Sequence, residues 1–260
     1  MSTHRTDDGC RLAYELTGPA AGPSLVLSNS LGTDRGLWDD QVNVLSRTFR
    51  VLAYDTRGHG ESDAPDGDYT IDRLGRDVLS LMDHTAMTRS HVAGISIGGL
   101  TALWLGVHAP DRVDRLVLAN TAAHIGSVAM WEERRRQVEE GGLAALAEAT
   151  MQRWFTPAFR KARPASVSRI FATFLATPVP GYLGCCAALR DADLRTDTAN
   201  VRAPALIVTG THDPATPPAE GAWLAATIPG ATLLELDAAH ISNIERADVF
   251  TNAMLRFLSA

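Results

Sequence analysis

The chain has 260 residues, 45% hydrophobic and 21% charged, enough apolar material to bury one large core. A formal net charge of −6 is mild and argues against nucleic acid as a partner, because phosphate binding needs clustered Lys and Arg. The longest nearly apolar stretch, Gly98 to Val107, is too short to cross a bilayer, so no membrane partner is expected.

In chain order, short apolar runs alternate with helical patterns. Leu12–Leu16, after a turn at Asp8-Gly9, reads as part of an N-terminal hairpin. Ser24–Leu27 and Val51–Tyr54 read as strands, each followed by a loop. A helix is predicted over Ile71–His84, a strand over His91–Ile95, and a helix over Gly98–His108. Val113–Leu118, Ala205–Val208 and Thr232–Leu236 complete the strands, and a final helix covers Asp248–Leu258. Apolar runs of this length fit strands buried on both faces. Their alternation with helices predicts an α/β fold with a mostly parallel central sheet flanked by helices. Residues 122–190 are strand-poor, with helical patterns at Trp131–Glu140, Gly142–Met151 and Ala165–Ala176. They read as an inserted helical cap on a core formed by 1–121 and 191–260.

Cys10, Cys185 and Cys186 have no zinc spacing, and adjacent cysteines do not suit a disulfide, so all three read as small buried thiols. No metal site is expected. The opening Met-Ser-Thr-His-Arg-Thr-Asp-Asp lacks the apolar core of a signal peptide, which makes a cytoplasmic location the expectation. Oligomeric state is not legible in the sequence.

Gly94-Ile95-Ser96-Ile97-Gly98 matches G-x-S-x-G between a predicted strand and a predicted helix. Such a turn exposes the serine, and its tiny neighbours avoid collision. A serine hydroxyl needs a base. His240 stands just past a late strand, and Asp213, in Gly210-Thr211-His212-Asp213-Pro214, ends another. Ser96, Asp213 and His240 thus sit at carboxyl ends of predicted parallel strands, in the chain order of α/β-hydrolases. They are the candidate nucleophile, acid and base. Among the other histidines, His4 and His108 read as surface residues, His91 as packing beside its strand, and His59 as part of a tight structural loop. His124 opens the cap and is a candidate pocket residue.

A tetrahedral oxyanion needs two backbone N–H donors. Ile97, after the nucleophile, is one candidate, and Leu31, in Ser28-Asn29-Ser30-Leu31-Gly32-Thr33, is the other.

Five stretches together resemble the 3-oxoadipate enol-lactonases: Ser28–Thr33, Asp55–Ser62, Gly94–Gly99, Trp154-Phe155-Thr156 and Ala239–Glu245. These are α/β-hydrolases of bacterial aromatic-compound breakdown. The serine elbow carries only the superfamily. The Ser-Asn-Ser-Leu-Gly-Thr loop, the His240–Glu245 run and the cap segments carry the narrower likeness, which spans nearly the whole chain. Asn29-Ser30 stands where many relatives carry His-Gly. The resemblance implies hydrolysis of 3-oxoadipate enol-lactone, a small anionic lactone, to 3-oxoadipate without metal or cofactor.

The lactone's carboxylate needs a partner, for which Arg is best shaped. The cap offers Trp131-Glu132-Glu133-Arg134-Arg135-Arg136, and the family has a similar Trp-x-x-Arg segment. Arg134 follows Trp131 by three residues and lies beside it on a helix, while Glu132 and Arg136 read as an i,i+4 pair. Arg134, Trp131 and Trp154 are the candidate substrate contacts. A broad carboxylesterase or perhydrolase would use the same triad, and a ligand receptor would keep the same pocket. Ser96 excludes the dehalogenase and epoxide-hydrolase variants of the fold, which carry Asp there.

Overall fold

The computed structural model describes residues 1–260. Eight strands run in chain order as β1 (Ser2–Arg5), β2 (Arg11–Thr17), β3 (Ser24–Ser28), β4 (Arg50–Tyr54), β5 (Ser90–Ile95), β6 (Val113–Ala119), β7 (Ala205–Gly210) and β8 (Thr232–Leu236). They form one sheet in the order β1-β2-β4-β3-β5-β6-β7-β8. β1 pairs antiparallel with β2, and β2 with β4; every later pairing is parallel. Every residue of β5 and β7 is buried, which explains why these strands read as unbroken runs rather than alternations.

The helices are α1 (Asp39–Leu45), α2 (Ile71–His84), α3 (Ile97–His108), α4 (Val128–Gly141), α5 (Ala144–Trp154), α6 (Pro157–Ala162), α7 (Pro164–Ala176), α8 (Val179–Asp191), α9 (Pro218–Thr227), α10 (Ser242–Glu245) and α11 (Ala247–Leu258). α2 starts at Thr70, whose side chain caps the Arg73 N–H, and buries Ile71, Leu74, Val78 and Leu81 on one face. α3 packs against β5, β6 and α2, and all residues from Ile97 to Gly106 are buried. No single helix is long and apolar enough to cross a membrane.

Five helices, α4 to α8, lie between β6 and β7. They share one continuous core with the sheet, to which Trp131, Phe155, Phe174 and Tyr182 belong. The apolar periodicity identifies α4, α5 and α7 but not α6, α8 or α9. α6 and α9 begin with Pro157 and Pro218, which start a helix at its first position but read in sequence as breakers. α8 buries Gly181, Tyr182 and Gly184 through Leu189, so it carries no polar stripe to reveal its period. A Cβ added at Gly181 would stand 2.2 Å from the Gly58 Cα, so the backbones of α8 and the 55–62 loop touch. Cys185 belongs to this contact: it is fully buried, its Sγ lies 3.9 Å from the Arg57 carbonyl oxygen, and burial pushes its thiol pKa up. It is a small inert packing group.

Candidate active site

Ser96 lies between the last residue of β5 and the first of α3, at φ 58° and ψ −121°. A non-glycine residue in this region costs on the order of 1–3 kcal/mol and persists only if its surroundings hold it. Three bonds hold it here. The Ser96 N–H donates to the Ala119 carbonyl at 3.1 Å, and the Ser96 carbonyl accepts from the Leu100 N–H at 2.9 Å and from Thr121 Oγ1 at 2.7 Å. The flanking glycines are dictated by contact. A Cβ at Gly94 would lie 2.1 Å from the Gly98 carbonyl oxygen, and one at Gly98 would lie 2.3 Å from the Ser28 carbonyl oxygen. The second contact seats the start of α3 directly against the loop that carries Leu31.

His240 lies between β8 and α10, and its Nδ1 is 2.8 Å from Asp213 Oδ2. An ionised carboxylate only accepts, so Nδ1 carries the proton and Nε2 is left with a lone pair. Asp213 sits in the loop after β7. Its Oδ1 accepts from the Ala215 and Thr216 N–H groups at 2.8 and 3.1 Å. Its Oδ2 also accepts from Thr216 Oγ1 at 2.7 Å and Asn120 Nδ2 at 3.0 Å. Burial pushes the Asp213 pKa up, but His240 and the hydrogen bonds from His240, Asn120 and Thr216 outweigh it and hold the carboxyl below its ordinary range.

Asn120 and Thr216 are positioning residues that sequence reasoning missed. Asn120, after β6, is buried at φ 44°. Its amide nitrogen also donates to the Ala239 carbonyl at 3.2 Å, while its oxygen accepts from Ser242 Oγ at 2.5 Å. One side chain thereby ties the acid to the loop that carries His240. Glu245 adds a second tie: it accepts from the Ala239 N–H and from Thr156, beside Trp154.

Ser96 and His240 open into one cavity of about 200 Å³. Ser30, Leu31, Trp131, Arg134, Trp154 and Tyr182 line it too. Ser96, His240, Leu31, Arg134, Trp131 and Trp154 of the predicted site residues therefore meet at this cavity, and Asp213, Ile97 and the pocket candidate His124 do not line it. Asp213 stands behind His240, and Ile97 is a candidate through its backbone N–H alone. The Leu31 and Ile97 amides have no protein acceptor, and both residues are buried. Trp131 donates its indole N–H to the Ile125 carbonyl at 2.6 Å and stacks under Arg134, whose guanidinium carbon is 5.3 Å from the ring centre. The Trp154 ring centre is 6.4 Å from that of His240. His124 is turned away from the cavity, with Nδ1 2.8 Å from the Ala192 carbonyl oxygen. Glu132 pairs with Arg190 at 2.5 Å rather than with Arg136, which takes Glu133 at 2.6 Å, because α8 runs alongside α4 and supplies the nearer cation.

Residues 23–247 match the family model described as alpha/beta hydrolase fold. The chain is 41% identical over 243 residues to 3-oxoadipate enol-lactonase 2 of Acinetobacter baylyi, covering 94% of this chain and 91% of that protein. It is 38% identical to 3-oxoadipate enol-lactonase 1 of the same organism, covering 100% of this chain and 97% of that one. The crystal structure of the enol-lactonase from Burkholderia xenovorans LB400 superposes with a TM-score of 0.98 at 45% identity, each chain covered completely. The chain is an α/β-hydrolase of the 3-oxoadipate enol-lactonase family.

In this enol-lactonase, His59 does more than fill a tight loop. It is 1% exposed, and its Nε2 accepts from the Gly32 N–H at 2.8 Å, one residue past Leu31. Nδ1 faces the Arg57 carbonyl at 3.3 Å, so the neutral ring spans the two loops. Burial pulls the His59 pKa down to about 4 from its ordinary 6.5. The unfolded chain takes up this proton near pH 6.5 and the folded chain does not. The contribution to stability is therefore complete above about 6.5 and is lost as pH falls towards about 4. Thermal unfolding should show the melting temperature falling across that window, and falling less in His59→Gln. At neutral pH, His59→Ala should lower kcat about tenfold or more through a displaced Leu31 amide. Steady-state kinetics check this, and an unchanged kcat removes the role.

Proposed function

We propose that Ser96 carries the hydrolysis of 3-oxoadipate enol-lactone to 3-oxoadipate, a step in bacterial aromatic-compound breakdown by the β-ketoadipate route. One observation carries the residue assignment: a single cavity joins Ser96 and His240 to Arg134, a guanidinium with no protein carboxylate. His240 Nε2 takes the Ser96 proton as Oγ bonds to the lactone carbonyl carbon. The Leu31 and Ile97 amides receive the oxyanion; losing one such donor costs roughly 3–4 kcal/mol of barrier. Collapse breaks the ring C–O bond, and the enol oxygen leaves with the His240 proton. An enol is a better leaving group than an alcohol, so acylation is the easier half. The opened chain stays attached as the Ser96 ester. Water gives a proton to His240 as its oxygen bonds to the ester carbon, and His240 passes that proton to the departing Ser96 Oγ. The second carboxylate is freed, and the released enol tautomerises to 3-oxoadipate. Asp213 holds the ring and stabilises its cation throughout. Three free buried cysteines suit a reducing compartment, and the proposal places the enzyme in the cytoplasm.

A coupled assay that generates the enol-lactone and follows its loss tests this. The lactone should be turned over with a kcat/KM well above that for p-nitrophenyl acetate. The reverse order would make the chain a general esterase. Arg134→Ala should raise the KM for the anionic lactone about 10- to 100-fold, as expected for a lost charge-assisted hydrogen bond. It should change the KM for a neutral ester far less, and equal effects would remove Arg134 from the carboxylate site.

A further inference from the structure

The Ser96 cavity contains a second cation that the sequence pattern does not reveal. Arg153, from α5, lines it together with Arg134 from α4, and no Asp or Glu lines it at all. Neighbouring cap arginines are neutralised: Arg135 pairs with Asp68 at 2.9 Å, Arg136 with Glu133 at 2.6 Å, and Arg190 with Glu132 at 2.5 Å. Arg134 instead reaches only the Tyr182 hydroxyl, at 3.4 Å, and the Trp131 ring. Arg153 donates to Thr150 Oγ1 at 3.2 Å. Each guanidinium has five N–H donors, so most remain uncommitted. Both side chains are half-buried. Burial first, and then the like charge of Arg134, pull the Arg153 pKa down, so the two cations feel each other across the cavity. Two cations in a partly desolvated space without an acid repel each other, and a bound anion relieves both.

We propose that Arg134 and Arg153 form a paired-guanidinium site for a ligand carboxylate, with Arg153 as a specificity-determining residue that selects carboxylated acyl substrates over neutral ones. The proposal rests on the hydrolase reading above for where the scissile carbonyl lies. With the carbonyl at Ser96, the pair receives a carboxylate carried on the far side of the substrate. It holds the same carboxylate after ring opening, so linear dicarboxylates should bind as product mimics.

Two measurements test the pair. The first compares the carboxylated enol-lactone with α-angelica lactone, which has the same ring but a methyl group in place of the carboxymethyl arm. Arg153→Gln should lower the ratio of kcat/KM for the carboxylated over the neutral lactone by about tenfold or more, and Arg153→Lys should lower it less. The second is calorimetric titration of adipate into the Ser96→Ala protein, which needs no turnover. Adipate should bind at millimolar or lower concentration, and adding Arg153→Gln should weaken it about tenfold or more. An unchanged lactone ratio, or adipate binding that is absent or indifferent to Arg153, overturns the pair. Arg153-dependent adipate binding in a protein that does not turn over the enol-lactone would leave the anion site standing and remove the substrate assignment alone.

Discussion

Ser96→Ala should lower kcat on the enol-lactone by at least about 10⁴-fold, the scale seen when a triad nucleophile is removed. Folding should survive, because what holds residue 96 is backbone: its N–H bonds the Ala119 carbonyl, and its carbonyl accepts from Leu100 and Thr121. Alanine fits the site sterically, although at φ 58° it keeps the same backbone strain. The melting temperature should therefore move by only a few degrees. The coupled assay and a thermal melt together check this. Retention of more than about 1% of kcat would mean that the serine is not the attacking group.

Asp213→Asn should cost about 10⁴-fold in kcat with little change in KM. The reason lies in the hydrogen-bond directions. Oδ1 is committed to two backbone N–H groups, of Ala215 and Thr216, so the amide oxygen of Asn takes that place. The NH₂ then faces His240 and forces Nδ1 to become an acceptor. The proton moves to Nε2, which no longer takes a proton from Ser96. The same NH₂ meets Asn120 Nδ2, which now donates to Asp213 at 3.0 Å, so stability should fall as well. Steady-state kinetics with a thermal melt read both effects, and a kcat within tenfold of wild type would show that the acid does not set the tautomer.

Much of this site is legible in sequence because its main parts are local. Gly94 and Gly98 flank Ser96 within five residues; the steric reason for Gly94 is a contact at that same turn, whereas that for Gly98 is the Ser28 carbonyl of the loop that carries Leu31. Asp213 and His240 each follow an apolar strand of recognisable length. Trp131 and Arg134 are one helical turn apart, so their stacking follows from helix geometry. The supporting residues are not legible, since their meaning lies in contacts between distant segments. Asn120 reaches Asp213 across 93 positions, and His59 reaches Gly32 across 27. Arg153 has an ordinary helical neighbourhood in sequence. What distinguishes it is the absence of any acid around a cavity assembled from several separate segments. Of the helices missed by periodicity, α8 failed for a related reason: it is buried on faces that contact both α4 and the 55–62 loop, so no polar side marks its turns.

Every other role assigned in the site depends on lactone hydrolysis running through the Ser96 oxygen. Titration with a fluorophosphonate, followed by peptide mass mapping and the coupled assay on the same samples, tests it most directly. One phosphonyl group per chain is expected, on Ser96, with enol-lactone turnover falling in proportion to the label. Protein fully labelled at Ser96 that still opens the lactone at an undiminished rate would contradict that expectation.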